Sequence, residues 1–187
     1  MIHGIVCNGA VWNPLRKRLS RVGFAPIRAI NLEPMLGDLD SHAMTVASEL
    51  RAMQQHALGA RVTIVAHSMG GLVARAALRL VGTEVVDRIV TVASPHHGTL
   101  LARYLGATPL KQLRPDCAWL RALNGEQEGR FAVPLTSIYS LEDALVAPPR
   151  SAALRGAELR ELRGVGHLGI LRARRGLECI MQALQLP

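Results

Sequence analysis

Aromatic residues are scarce in this chain, with two Trp, two Tyr and two Phe among 187 positions. None of them interleaves with a basic run, which removes the stacking platform that single-stranded nucleic-acid binders use. Lysine is nearly absent too, and the formal charge of +8 comes from arginines scattered through every segment rather than gathered into a patch. Nucleic acid is therefore not an expected partner, while peripheral contact with an anionic membrane surface stays open. The densest basic group, Arg172, Arg174 and Arg175, reads as the solvated face of a helix. Cys7, Cys117 and Cys179 are odd in number and far apart, with no C-x-x-C and no Cys/His metal spacing. Reduced structural thiols are expected, and no metal or other cofactor. There is no run of 18 apolar residues and no basic-then-apolar leader. As it stands the chain is expected in the cytoplasm, and at a membrane if its coding start lies further upstream.

What is present is an apolar chain, 49% hydrophobic, of a length that fills one core and falls short of two ordinary domains. One domain spanning 1–187 is expected. Short β-rich runs alternate with longer helical ones. Residues 12–23 have helical periodicity and a Gly stop, 27–33 read as a strand, and 40–59 form an amphipathic helix capped by Asp40 or Ser41. Buried-strand signatures follow at 61–68, 87–94 and 134–140, with a helix directly after the first. A last short strand is expected at 157–165, and a helix from about Leu168 to Leu186. Alternation of this kind predicts an α/β fold with a mostly parallel sheet and helices on both faces. Two stretches break it: 95–129, punctuated by Pro and Gly, and 141–156, which contains Pro148-Pro149. Excursions at the carboxyl ends of strands are where α/β proteins place function, and 99–129 is expected to act as a lid-like insertion.

The stretch VTIVAHSMGGLVARAAL, residues 62–78, runs from a buried strand through Ala66-His67-Ser68-Met69-Gly70 straight into a helix. A nucleophile elbow needs that order, because a serine at the tip of so sharp a turn must adopt strained backbone, with small residues two before and two after it. Ala66 and Gly70 meet the requirement, although Ala stands at the first position where Gly is commoner. The helix that follows leaves the Met69 N–H facing any oxyanion that develops at Ser68. Ser68 is thus a candidate nucleophile, against the plainer reading of an N-cap.

Such a serine needs a base and an orienting acid, in the chain order Ser, Asp or Glu, His. One histidine lies after the penultimate strand, His167 in GVGHLGIL, flanked by glycines that let its loop swing back over the sheet. The acid falls beyond the strand ending at Ser140, where Glu142 and Asp143 are adjacent and spacing does not separate them.

Together, AHSMGG, ASPHHGT, TSIYSLEDALVAP and GVGHLGIL resemble bacterial lipases and carboxylesterases of the α/β-hydrolase superfamily, including small ones without a large cap, over nearly the whole chain. The resemblance implies the α/β-hydrolase fold with abbreviated N-terminal strands, and it implies Asp143 as the acid, with Glu142 facing solvent. It gives His96 and His97 a part in shaping the acyl pocket in a supporting role, since both precede the acid. Leu72, Val133, Leu145 and Val146 are further apolar candidates for the acyl site. The second oxyanion donor belongs to the loop after the first strand. Two registers offer it: His3-Gly4 as the corner with Ile5 donating, or IVCNG as the strand with Ala10 donating. H-G-x-x-C-N-x-x-x-W is similar to membrane-associated lipases of this group, which favours Ile5. That register leaves only Met1 and Ile2 where four or five apolar residues are expected, and a missing strand there would bare a sheet edge. The implied activity is cleavage of a carboxylic ester or lipid through an acyl-enzyme. An acyltransferase on the same triad and a non-catalytic hydrolase-like protein are the alternatives.

Overall fold

The structure is a computed structural model that describes residues 1–104 and 106–185. Four parallel strands form its sheet in the order β1 (Val62–His67), β2 (Val86–Val92), β3 (Leu135–Ser140), β4 (Glu158–Leu162). Each strand lies within a residue or two of a stretch read as a strand, β4 (ELREL) being a largely exposed edge, and alternate side chains of β1 and β2 go to opposite faces. Ile64 and Ala66 of β1 and Ile89 of β2 join the core on one side, with Val46 and Leu50 of α2 (Leu39–His56) and Leu72 and Val73 of α3 (Met69–Val81). Val65, Val90 and Val92 join the core on the other. There they meet Leu15 and Leu19 of α1 (Asn13–Arg21) and Leu177 and Ile180 of α6 (Arg174–Ala183). The expected parallel sheet with helices on both faces is the observed one.

Beyond β1 the sheet continues by single residues. Ile2 bridges Ala66 on one side and Ile30 on the other, both in parallel sense. The Ile2 N–H donates to the Val65 carbonyl at 2.9 Å and the His67 N–H to the Ile2 carbonyl at 2.9 Å. The edge of β1 is covered at this point by two residues of backbone. The strand expected over 27–33 shrinks to the bridge at Ile30, because its partner turns away at His3-Gly4 and prolines at 26 and 34, which lack an N–H, flank the run.

Two other expectations shift. Helix α2 begins at Leu39, a fully buried member of its apolar stripe, so the cap is Asp38, whose carboxylate accepts from the Ser41 N–H at 2.9 Å. The last helix divides into a short 3-10 turn at Gly169–Leu171 and α6, separated by extended backbone at Ala173. Arg172 consequently falls outside α6 instead of on a helix face. Between β2 and β3 lie a 3-10 turn at Leu100–Tyr104, α4 (Thr108–Gln112) and α5 (Ala118–Gln127). Leu105, inside the expected insertion, and Leu186, where the last helix was expected to end, lie outside the described residues. No described helix is long and apolar enough to cross a membrane.

Candidate active site

Ser68 leaves β1 with φ 55° and ψ −130°, a region that residues with a Cβ rarely adopt. The surroundings hold it there. Its N–H donates to the Val92 carbonyl at 2.8 Å. Behind it, Gly70 lies so close to the N-terminal segment that a Cβ would sit 2.5 Å from the His3 carbonyl oxygen and 2.8 Å from that of Ile2. In front, a Cβ on Gly4 would sit 2.7 Å from the Ser68 Cβ. The Ser68 hydroxyl makes no hydrogen bond with the described residues and opens into a cleft of about 360 Å³.

Asp143 and His167 come together from the carboxyl ends of β3 and β4. The His167 Nδ1–H donates to Asp143 Oδ2 at 2.7 Å, and Oδ1 accepts from the N–H groups of Leu145 at 2.8 Å and Val146 at 3.0 Å. Burial pushes the Asp143 carboxyl up, but the hydrogen bond and charge of His167 and the two amide donors outweigh it and hold it below the usual carboxylate range. The carboxylate is thus kept ionised and the imidazole oriented, with Nδ1 occupied and Nε2 left for chemistry. Glu142 turns elsewhere: its Oε2 accepts from Ser140 Oγ at 3.0 Å and from the Gly164 N–H at 2.9 Å.

His3 acts as a brace. Its Nδ1–H donates to the Gly4 carbonyl at 2.8 Å while Nε2 accepts from the Leu32 N–H at 3.0 Å, which fixes the neutral tautomer and pins the corner to the segment after Ile30. Ile5 follows into the cleft that holds Ser68. Ala10 lies outside that cleft, and its N–H is taken by Asn8 Oδ1 at 3.0 Å. Of the two registers, the one with its corner at His3-Gly4 puts its donor residue, Ile5, on the Ser68 cleft, near the first N–H groups of α3 that begin with Met69.

The other residues expected around an acyl chain divide. Leu145 and Val146 line the cleft. Leu72 and Val133 are core residues. His96 is fully buried away from the cleft, its Nδ1 accepting from Arg75 at 3.3 Å and its Nε2–H donating to Thr91 Oγ1 at 3.0 Å. Burial first, then the charge of Arg75, pushes this imidazole well below its ordinary pKa. His97 reaches the Ala153 carbonyl at 3.1 Å, and Asn124 Nδ2 donates both to the His96 carbonyl and to His97 Nδ1. The His96-His97 pair therefore ties the turn after β2 to α5 and forms no wall of the cleft.

Several lining residues escape a reading by motif. Leu101, Ala102, Leu110 and Leu113 of the 99–129 stretch supply apolar wall. Thr99 links the two excursions, its hydroxyl donating to the Leu145 carbonyl at 2.8 Å and accepting from the Ala147 N–H at 3.0 Å. His67 stands beside the candidate triad, its Nε2–H donating to the His167 carbonyl at 3.1 Å and its ring centroid 4.6 Å from that of His167. Burial, and then the neighbouring His167, push His67 down to about 3, so it stays neutral. Its place in A-H-S-M-G was the only signal available.

A family profile described as a PGAP1-like alpha/beta domain matches residues 37–113, which carry Ser68 but neither Asp143 nor His167. No curated protein sequence matches the chain. Among solved structures, a lipase from Bacillus licheniformis in its mature form superposes with a TM-score of 0.78 at 16% identity, over 98% of this chain and 89% of that one. Lipase B of Aspergillus fumigatus gives 0.83 at 22% identity, over 98% of this chain and 52% of that one. A phospholipase from Legionella pneumophila gives 0.73 at 16% identity, over 99% and 57%. The chain thus spans most of the bacterial lipase and little more than half of the other two. With the parallel sheet, the helices on both faces and these neighbours, the chain has the α/β-hydrolase fold.

Proposed function

We propose that this protein hydrolyses carboxylic esters with Ser68 as nucleophile, His167 as general base and acid, and Asp143 as the orienting carboxylate. One observation carries the reading: a serine in strained backbone at the end of β1 and a hydrogen-bonded Asp143–His167 pair from the ends of β3 and β4 converge on one apolar cleft. In the proposed reaction the Ser68 Oγ proton passes to His167 Nε2 as Oγ bonds to the ester carbonyl carbon. The N–H groups of Met69 and Ile5 receive the oxyanion, each donor contributing about 3 kcal/mol in the transition state. Collapse breaks the carbonyl carbon–alkoxy bond, and the alcohol leaves with the proton from His167. Water deprotonated by His167 then attacks the acyl-enzyme and frees the acid and Ser68. Segment 99–129, which supplies much of the apolar wall, serves as the lid of the single domain.

The test is labelling of the folded protein with a fluorophosphonate probe, followed by a p-nitrophenyl ester series. Labelling at Ser68 that is lost in Ser68→Ala, with ester turnover lost alongside, is the expected outcome. Folded protein that stays unlabelled refutes the assignment. Product analysis with added alcohols distinguishes hydrolysis from acyl transfer.

A further inference from the structure

Next to the cleft that holds Ser68 lies a second groove of about 440 Å³, and the two share the wall formed by Val6, Cys7 and Leu168. Their linings differ in chemistry. The Ser68 cleft is walled mostly by aliphatic side chains, whereas the groove sets Asn8, Asn31, Glu33 and Arg172 among apolar residues such as Val11, Leu32 and Met35. The two asparagines have their orientation set by the backbone. Asn8 Oδ1 accepts from the Ala10 N–H at 3.0 Å and Asn31 Oδ1 from the Gly9 N–H at 2.9 Å, so each is left with its amide NH₂ uncommitted. Glu33 and Arg172 are exposed, and neither makes an ion pair or side-chain hydrogen bond with the described residues. The groove therefore presents amide donors, a guanidinium and a carboxylate acceptor that no described residue consumes.

An ester extends in two directions from its carbonyl. The aliphatic cleft suits an acyl chain, and the groove across the shared wall suits what lies on the other side. We propose that the groove binds the alcohol part of the substrate and that this part is an uncharged polyol, as in a monoacylglycerol or a sugar ester. Each hydroxyl of a polyol both donates and accepts, which matches a lining of donors with one carboxylate acceptor. A phosphate head has no proton to offer Glu33 and is repelled by it, and an acyl chain there would leave Asn8, Asn31, Glu33 and Arg172 without partners. This assignment rests on the ester-hydrolase reading.

The experiment compares 1-monooctanoylglycerol, methyl octanoate and octanoyl lysophosphatidylcholine as substrates of the wild-type protein and of Glu33→Ala/Arg172→Ala. Both positions are exposed and unpaired among the described residues, and thermal melts check that the variant is folded. Wild type is expected to favour the glycerol ester, and the ratio of its kcat/KM to that of the methyl ester is expected to fall about tenfold in the variant, as loss of two hydrogen bonds implies. An unchanged ratio in a protein that cleaves both esters overturns the groove assignment alone. Preference for the phosphate-headed ester overturns it as well. Absence of Ser68-dependent cleavage of any of the three, with no fluorophosphonate label, overturns the hydrolase reading beneath it.

Discussion

Gly4→Ala isolates the corner on which the proposed oxyanion site depends. Gly4 needs no left-handed backbone, so alanine is conformationally acceptable and its effect is purely steric. The new methyl carbon would lie 2.7 Å from Ser68 Cβ, 3.2 Å from Ser68 Oγ and 3.4 Å from His67 Nδ1. Carbon atoms rest at about 3.5–4.0 Å, so the pair must separate by about 1 Å. Ser68 is the less able to move, held by the Val92 carbonyl and by Gly70 against the Ile2 and His3 carbonyls. The corner moves instead and carries the Ile5 N–H with it. A misplacement of about 1 Å in a reacting array costs about 100-fold in rate, and overpacking costs about 1–3 kcal/mol of stability. For a chain of this size each kcal/mol lowers Tm by about 2–4 °C. The assay is the second-order rate constant of fluorophosphonate labelling, with a thermal melt on the same sample. Gly125→Ala, in α5 with nothing within 4 Å of its added methyl, is the control. It should gain about 0.5–1 kcal/mol and label like wild type. Should Gly4→Ala label and melt like wild type, Gly4 does not lie against Ser68 and the oxyanion corner is elsewhere.

Asp143→Asn should lower kcat by about 10⁴-fold, because an amide in place of the carboxylate favours the wrong His167 tautomer. Glu142→Gln, whose amide oxygen can still accept from Gly164, should stay near wild type, and the reverse order in steady-state ester kinetics would make Glu142 the acid. The buried His67 is neutral in the fold down to about pH 3 but protonates near 6.5 once unfolded. The unfolded state then holds the extra proton, so stability is complete above pH 6.5 and declines toward pH 3 by up to ~1.4 kcal/mol per unit. His67→Phe should make this acid limb shallower in melts at stepped pH, without abolishing it, since His96 titrates in the same direction; a limb of unchanged slope refutes the assignment. The Asp143 contribution comes instead from a charged form favoured by the fold: it is present above pH 3.8 and is lost as pH falls through the lower folded value, so Asp143→Asn should lower the melts by a constant amount above pH 3.8, with the difference from wild type shrinking only below that point.

Much of the fold was legible because the central strands are nearly continuous apolar runs and each following helix carries an apolar stripe. The elbow was legible because strain at Ser68 demands small neighbours at fixed positions. Contacts between segments distant in sequence were harder to read. His96 and His97 sit in a motif beside the site, yet their ring nitrogens are committed to Arg75, Thr91, Asn124 and Ala153, and only tertiary packing decides that. Leu72 follows the elbow closely, but helical periodicity turns it toward the core. Arg172 reads as helix surface until Ala173 breaks the helix and leaves it beside the groove. Thr99, Leu101, Leu110 and Leu113 line the cleft through loop geometry that no periodicity encodes.

The N-terminal corner joins these two kinds of information. A strained Ser68 persists only where its surroundings overdetermine it. Three of those constraints converge on residues 2–4: Ile2 on β1, the Ile2 and His3 carbonyls against Gly70, and Gly4 against Ser68. His3 then ties the group to Leu32, and through Ile30 to the far side of the Ile2 bridge. The conformation of Ser68 and the position of the proposed oxyanion donor are thus not independent features. Both follow from seating two residues of strand beside β1, so a change that loosens Ile2 should cost catalysis beyond the stability lost with the apolar area it buries.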